Sequence, residues 1–419
     1  MAELPKLRVG MVGAGMIFEE TYLPLLFRLQ REPLFDSQTG PVHVQLAAIG
    51  TRTGARAARH ISKFASSPLN LFGADSILRL LANVDVVCIA TPDHRHFEVA
   101  EEAISAGKHV LIEKPSVLSL SQLDVLTDLA ERNKVLAKVV YHKLFDPDHM
   151  KLRTYVANHV LRHVNNGFCS LLEPKAISHE QFSEWISGRN PATYVAVHYL
   201  KLIDFTFGPT WKLARIAATG QRGQVGPSDG PTWDAVQLRV TYAYEDGREA
   251  TFDIHTDWVT PDNYPGSVEQ EVQFRFDNGV WNSHGRKRGV ECVVEDQLSP
   301  PVRLTPNNHY SASVLEPWDV RGHRGYGLEA VERFFSEVAY VEFGGAATSR
   351  HERRREMSQL IHNDLSADRN VVAAVMACEA ILQDQLVGFP GSMVVNRPDG
   401  VVLLRAGNPA EVSLYPHPV

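Results

Sequence analysis

The run VGMVGAGMIFEETYLPLL, residues 9–26, decides the fold class. It begins with apolar residues that suit a short buried strand and ends with apolar residues at helical spacing. Gly13, Ala14 and Gly15 stand between the two. Glycine at a strand-to-helix turn lets an anion approach the backbone, where the free N–H groups of a helix N-terminus can hold it. A pyrophosphate suits such a turn, so Gly13, Gly15 and the following Met16 and Ile17 are candidate dinucleotide contacts. The third position of the usual glycine fingerprint holds Phe18, which makes the motif degenerate. Tight strand-to-helix turns also use glycine without any ligand.

The alternation continues from there. Apolar runs at 7–13, 44–50, 84–90, 109–113 and 135–141 read as strands, and helical patterns separate them. In SLSQLDVLTDLAERN (119–133), Leu123, Leu126, Leu129 and Ala130 share one face, and Ser119 with Gln122 forms a capping box. HFEVAEEAISAG (96–107) closes on Gly107, a good helix stop. Fully apolar strands alternating with helices predict an α/β, doubly wound parallel sheet over residues 1–145. From about 166 to 320 the runs lengthen and alternate in polarity, and YEDGRE and FDNGVW supply the Asp-Gly and Asn-Gly of hairpin turns. This predicts a second, α+β domain with a mainly antiparallel sheet over 146–395, followed by a tail over 396–419. The late patterns YGLEAVERFFSEV and RNVVAAVMACEAILQDQL read as helices on that sheet or returning to the first domain.

Two domains suit a chain of 419 residues. Hydrophobic residues make up 44% and charged ones 22%, the balance of a soluble globular protein. The net charge of −7, with no long basic block, speaks against a nucleic-acid partner. RHERRREM (350–357) mixes glutamate with its arginines and reads as a solvated helix face. The first residues are too polar for a signal peptide, and no apolar run approaches the ~18 residues of a membrane span. The four cysteines are far apart and form no CxxC pair, so a reducing cytoplasm is expected. His94, His96 and His142 lack ligand spacing, and no metal is expected.

The end of the second strand reads the cofactor's ribose. An acidic residue there would hold a 2′-hydroxyl. This chain instead has Thr51, Arg52 and Thr53, then Arg56 along the next helix. Arginine flanked by hydroxyls suits a 2′-phosphate, so NADP(H) is the expected cofactor, although a basic solvated helix would look the same.

TPDHRHFEVAEEAISAGKHVLIEKPSVLSLSQLDVLTDLAE (91–131) with VVYHKLFDP (139–147) resembles the glucose–fructose oxidoreductase / inositol dehydrogenase (Gfo/Idh/MocA) family. The likeness is specific over residues 7–148 and looser beyond. It implies that Glu113-Lys114-Pro115 is the family's EKP motif, with Lys114 at the nicotinamide and substrate. It also implies that Thr91, Pro92 and His96 lie along the cofactor, and that a substrate is held between the two domains. An ammonium at a strand's carboxyl end can stabilise the oxyanion that forms as hydride reaches a carbonyl. The family's acid/base histidine matches His198 in PATYVAVHYLKLIDFTFG (191–208), while Tyr194 stands where relatives keep aspartate. The spacing i, i+4 puts both on one helical face.

Residues 170–208 resemble the D-galacturonate/D-glucuronate reductases of this family. Lys143, Arg189 and Lys201 could meet a carboxylate, or all three could be surface residues. The expected activity is therefore NADPH-dependent reduction of a hexuronate at its aldehyde carbon, by a homo-oligomer joined through the second domain's sheet. Two alternatives stay open: a dehydrogenase of a neutral sugar or polyol, and a sugar-sensing regulator that binds nucleotide without catalysis.

Overall fold

The computed structural model describes residues 4–417 except 182–184, 209, 265–267, 286–289, 291, 295–301, 305, 306, 319 and 346. Strand β1 (Lys6–Val12) pairs in parallel with β3 (Gly40–Thr51) on one side and β5 (Val86–Ile89) on the other. β6 (His109–Ile112) and β7 (Ala137–Val139) extend the sheet in parallel beyond β5, and β4 (Leu69–Phe72) pairs in parallel with β3. Every residue of β5 and β6 is buried, as expected of central strands with both faces covered. A short β2 (Leu34–Asp36) lies antiparallel to the start of β3. Neither β2 nor β4 was legible as an apolar run, because β2 has three residues and Leu69 and Phe72 of β4 point to solvent.

The covering helices are α1 (Leu23–Leu29), α2 (Ala55–Ile61), α3 (Ser76–Leu81), α4 (His96–Ser105) and α5 (Leu120–Asn133). α4 stops two residues before Gly107, whose φ of 72° is the left-handed conformation a helix stop asks of glycine. Ser119 caps α5 by accepting from the Gln122 amide. The Gln122 side chain bonds the Leu118 N–H, one residue earlier than in a standard capping box.

α6 (Pro147–Ala157) leads into β8 (Val164–Pro174), and α7 (Val197–Phe207) follows. β9 (Lys212–Gln221), β10 (Ala235–Ala243) and β11 (Glu249–Thr260) form an antiparallel meander. β11 then pairs in parallel with β8, and β8 pairs antiparallel with β12 (Glu269–Phe276), which turns into β13 (Val280–His284). Both hairpin turns expected from Asp-Gly and Asn-Gly are present. Of the strand expected in RGVECVVE (288–295), the described part is β14 (Cys292–Val294), which pairs with β15 (Val302–Leu304) and not with the large sheet. Residues 288, 289, 291 and 295 lie outside the described residues.

A hairpin, β16 (Ala312–Leu315) and β17 (Arg321–Arg324), precedes α8 (Tyr326–Phe343) and α9 (Arg350–Ser358). Leu328, Val331, Phe334, Phe335 and Val338 of α8 join the core built by β1, β3 and α1. The segment His309–Arg369 therefore belongs to the first compact unit, Met1–Phe145, and the second comprises Asp146–Asn308 and Asn370–Val419. This corrects the expected second-domain range of 146–395.

α9 also departs from expectation. Arg353 and Arg354 are buried, not solvated. Arg353 donates to the carbonyls of Val341, Gly345 and Thr348 at the end of α8. Arg354 donates to those of Ala130 and Val135 at the end of α5 and to the Glu131 carboxylate. Helix ends leave carbonyls unpaired, and guanidinium groups suit them. Beneath α9, the fully buried Lys138 lies 2.7 Å from Glu337 and donates to the carbonyls of Met357 and Leu360.

α10 (Arg369–Leu386) packs Leu382 against the inner face of the large sheet at Gly220. β18 (Met393–Arg397), β19 (Gly400–Leu404) and β20 (Glu411–Pro416) then extend that sheet to nine strands in the order β13-β12-β8-β11-β10-β9-β18-β19-β20. The expected tail over 396–419 is thus part of the sheet. Phe207 of α7 packs on Phe252 and Phe274 of the inner face. The outer face carries paired polar side chains, Arg215 with Glu249 and Arg239 with Asp253. No described helix is long and apolar enough to cross a membrane.

Candidate functional site

In the first unit the expected residues gather along one sheet edge. Gly13 follows β1, Thr51 ends β3, Thr91 follows β5, Lys114 follows β6 and His142 follows β7. These strands are neighbours in the order β3-β1-β5-β6-β7, so the positions form a line at the carboxyl ends. With ~4.8 Å between strands, Thr51 and Lys114 are about 14 Å apart along that edge, the scale of an extended dinucleotide.

The chain reverses its winding between β1 and β5, and Gly13 sits at that switch point. Its φ is 97°, its N–H donates to the Gly50 carbonyl, and a Cβ there would lie 2.2 Å from the Ala90 carbonyl oxygen. A Cβ on Gly15 would meet nothing closer than Arg56 Nη1 at 3.8 Å. The turn is thus an open cradle with a guanidinium beside it, which fits a pyrophosphate. Met16 and Ile17 open the helix, which takes one wide π-helical turn over Phe18–Tyr22. That turn buries Phe18 completely, which explains how the degenerate fingerprint is accommodated.

At the end of β3, Thr51 Oγ1 accepts from the Gly54 amide at 2.9 Å. Its hydroxyl shapes the turn that leaves Arg52, Thr53 and Arg56 exposed.

Around the EKP motif, residues 109–117 are all buried except Lys114. The Lys114–Pro115 peptide is cis. Two buried side chains fix the loop. His96 places Nδ1 2.7 Å from the Pro115 carbonyl and Nε2 2.8 Å from the Thr91 carbonyl. Asp368 accepts from Ser116 Oγ at 2.5 Å and from the Tyr141 hydroxyl at 2.8 Å. His96 is fully buried, so it ties the Thr91 and Pro115 loops together while Thr91 and Pro92 remain half-exposed.

Glu113 accepts from the Tyr22 hydroxyl at 3.0 Å. Burial raises its carboxyl to about 7, against the opposing pull of Lys114 and Tyr22. His142 is pushed down to about 3 by burial and by the charges of Lys114 and Lys143, which keeps its ring neutral near pH 7. Its Nε2 and Thr91 Oγ1 are buried without a hydrogen-bond partner within the chain. Orphaned polar atoms at two strand ends suit a ligand that brings its own donors and acceptors.

Sequence reading missed Tyr22, His142, Tyr310 and Asp368. His142 follows a strand end, a positional signal that was available. Tyr310 packs edge-on to the His142 ring at 5.5 Å and lies 3.1 Å from Thr21 Oγ1. It and Asp368 arrive from the returning segment, which no local pattern announces.

In the second unit the site helix is anchored from its start. Asn190 Oδ1 accepts from the Thr193 amide at 2.8 Å, and Glu379 of α10 accepts from Asn190 Nδ2 and Thr193 Oγ1. The Tyr199 hydroxyl donates to the Ser170 carbonyl at 2.6 Å. Of residues 190–203, only Tyr194 and His198 reach solvent. They are the pair that i, i+4 spacing put on one face. Lys201 and Lys143 are buried, not surface residues, and Arg189 is half-exposed. Among the described residues no three His, Cys, Asp or Glu side chains form a metal site.

Residues 7–141 match the family model described as the GFO_IDH_MocA oxidoreductase family, NAD-binding Rossmann fold. The chain is 35% identical over 132 residues to UDP-N-acetylglucosamine 3-dehydrogenase of Acidithiobacillus ferrooxidans, which is 31% of this chain and 36% of that protein. It is 29% identical over 160 residues to the oxidoreductase YdgJ of Escherichia coli (strain K12), 38% of this chain and 41% of that protein. The chain thus spans about two fifths of these curated relatives. An inositol dehydrogenase homolog from Azotobacter vinelandii, solved with NADH and myo-inositol, superposes with a TM-score of 0.64 at 18% identity, over 93% of this chain and 98% of that one. That likeness is one of fold and covers 93% of this chain.

Proposed function

We propose that this chain is an NADP(H)-dependent oxidoreductase that reduces a hexuronate, such as D-galacturonate or D-glucuronate, at its aldehyde carbon. The observation that carries the catalytic part is Lys114, the one residue of 109–117 that reaches solvent, at the carboxyl end of a central strand. Nicotinamide, when bound, supplies the hydride that the carbonyl carbon accepts. Lys114 stabilises the negative charge that then develops on the carbonyl oxygen. His198 delivers the proton that turns that oxygen into a hydroxyl, and it takes the proton back in the oxidative direction. Tyr22 and Glu113 hold the loop that carries the lysine. Arg52 and Thr53 meet the 2′-phosphate of the cofactor, Arg56 its pyrophosphate, and Thr51 shapes the turn.

The hexuronate rests on Arg189, with Lys143 and Lys201, as partners of the carboxylate. A neutral sugar is the second reading, and one observation favours it. The buried carboxylate of Glu173 accepts from Trp258 Nε1 at 2.9 Å, and the Trp258 ring lies 6.4 Å from that of Tyr194. A carboxylate bonded to the ring next to Tyr194 disfavours an anionic sugar. A relative whose name is UDP-N-acetylglucosamine 3-dehydrogenase agrees with that reading.

Steady-state kinetics with aldoses, uronates and polyols, each with NADPH or NADH and their oxidised forms, tests both. The uronates should exceed galactose and glucose at least tenfold in kcat/KM, and Arg189→Ala should shrink the ratio. Neutral sugars winning would overturn the hexuronate alone. No turnover with any of them, with nucleotide still bound, would support a sugar-sensing regulator. The outer face of the nine-stranded sheet is the proposed homo-oligomer interface, which light scattering of Arg239→Glu against the parent chain can test.

A further inference from the structure

Tyr194 belongs to a row of three aromatic rings in the second unit. Its centroid is 5.5 Å from that of Trp185, tilted 53°, and 6.4 Å from that of Trp258, tilted 55°. The three differ in exposure. Trp258 is fully buried and its indole N–H is held by the buried Glu173 carboxylate, so it forms a fixed back wall. Tyr194, next to it in the row, and Trp185, on the far side of Tyr194, are half-exposed. One helical turn after Tyr194 comes His198, the other residue of 190–203 that reaches solvent.

Two adjacent half-exposed rings, one of them held by a buried third, make an apolar surface with an electron-rich face. A pyranose carries C–H bonds on one face and hydroxyls around its edge, which matches a ring face bordered by hydrogen-bonding groups. We propose that Trp185 and Tyr194 form a stacking platform for the sugar ring, and that Tyr194 acts through its ring and not as a proton carrier through its hydroxyl. The platform rests on the sugar reading of the site but not on the choice between uronate and neutral sugar, because both present the same C–H face. Tyr194 is thereby a specificity-determining residue, and the proton step stays with His198.

The test uses the full chain with D-glucose, D-galactose, D-glucuronate and D-galacturonate as probes. Binding is read from tryptophan emission and from KM. For the sugar that binds the parent chain best, Tyr194→Phe should keep Kd and KM within twofold and leave the pH profile of kcat unchanged. Tyr194→Leu keeps an apolar side chain but no ring, and should raise Kd and KM about tenfold, equivalent to about 1.4 kcal/mol. Trp185→Phe should lose much of the emission change while still binding. Circular dichroism establishes that each variant is folded. A Tyr194→Phe variant that loses tenfold in kcat or shifts the pH profile would overturn the platform in favour of a phenol relay. Equal binding by Tyr194→Leu and the parent chain would overturn the platform alone. A parent chain that binds and turns over none of the four sugars would overturn the sugar reading and the platform together.

Discussion

The candidate residues of the two units are placed by different means. In the first unit, side chains with separate tasks leave the ends of five adjacent strands, and each loop needs only a few residues to place its group. In the second, one helix presents Tyr194 and His198, and distant residues determine where that helix lies. Strand ends localise chemistry in sequence, whereas a helix face spreads it over the elements that hold the helix. Substitutions in the first unit should therefore separate cleanly into cofactor and catalytic effects, and those in the second should mix binding with stability.

The largest expected effect is at Lys114. Lys114→Met keeps the length of the side chain and removes the ammonium, so folding and cofactor affinity should change little. Losing one oxyanion-stabilising contact of roughly 3 kcal/mol lowers kcat on the order of a hundredfold. Stopped-flow measurement of hydride transfer checks this. A variant that keeps more than about a third of the parent rate would make Lys114 a structural residue.

Arg52 should separate the cofactors. A charge-assisted phosphate contact contributes about 1.5–3 kcal/mol, or roughly 10- to 150-fold in preference. Arg52→Ala should weaken NADPH by that factor and NADH hardly at all, as read by fluorescence titration. Because Arg56 reaches over Gly15, Arg56→Ala should weaken both cofactors through the pyrophosphate. Equal losses for Arg52→Ala with both cofactors would mean that it supports the turn and does not read the phosphate.

The same contrast explains what was legible in the sequence. Gly13, Lys114 and Arg52 carry local signatures, a strand followed at once by a residue type that a central sheet would not otherwise tolerate. The parallel sheet and both hairpins were legible for the same reason, since each depends on a period or a turn within a few residues. Asp368 and Tyr310 reach the strand ends of the first unit from more than 160 residues away in the chain, and their roles depend on His309–Arg369 returning to that unit. The arginines of α9 misled for a related reason. Charge pattern along a helix cannot reveal that another helix ends against it and offers unpaired carbonyls. Glu173 is similar: the carboxylate that Tyr194 appeared to remove from the site helix is supplied to its surroundings by β8.

In the second unit, the start of the site helix offers a sharper test. Asn190 is buried and bonds Thr193 and Glu379. Asn190→Ala should cost about 1–3 kcal/mol of stability through the lost cap and the lost hydrogen bond to Glu379 Oε1, which keeps its bond from Thr193. It should also raise KM for sugar with no effect on nucleotide affinity. Thermal unfolding and nucleotide titration distinguish this from a general loss of fold, which would lower both affinities.

The smallest effect should come from Glu113, and it bears on pH alone. Its carboxyl titrates near 7 in the folded chain and near 4.5 when unfolded. Between those values the folded chain keeps a proton that the unfolded chain has released, so the slope of stability with pH is negative. Stability should therefore fall as pH rises from about 4.5 to about 7, and the loss is complete above 7. Glu113→Gln has no proton to release but keeps an oxygen that can accept from the Tyr22 hydroxyl. Its Tm should fall less steeply across that window than the parent's, with the two curves parallel above about pH 8. His142 titrates in the opposite sense. Its folded value near 3 lies below its ordinary 6.5, so its neutral ring costs stability as pH falls through that interval, and His142→Gln should remove the cost. Melting curves of the two variants from pH 4 to 9 would show one losing a decline with rising pH and the other a decline with falling pH. Identical slopes in all three proteins would mean that neither group is desolvated, and the polar orphans at the strand ends would then be filled by water.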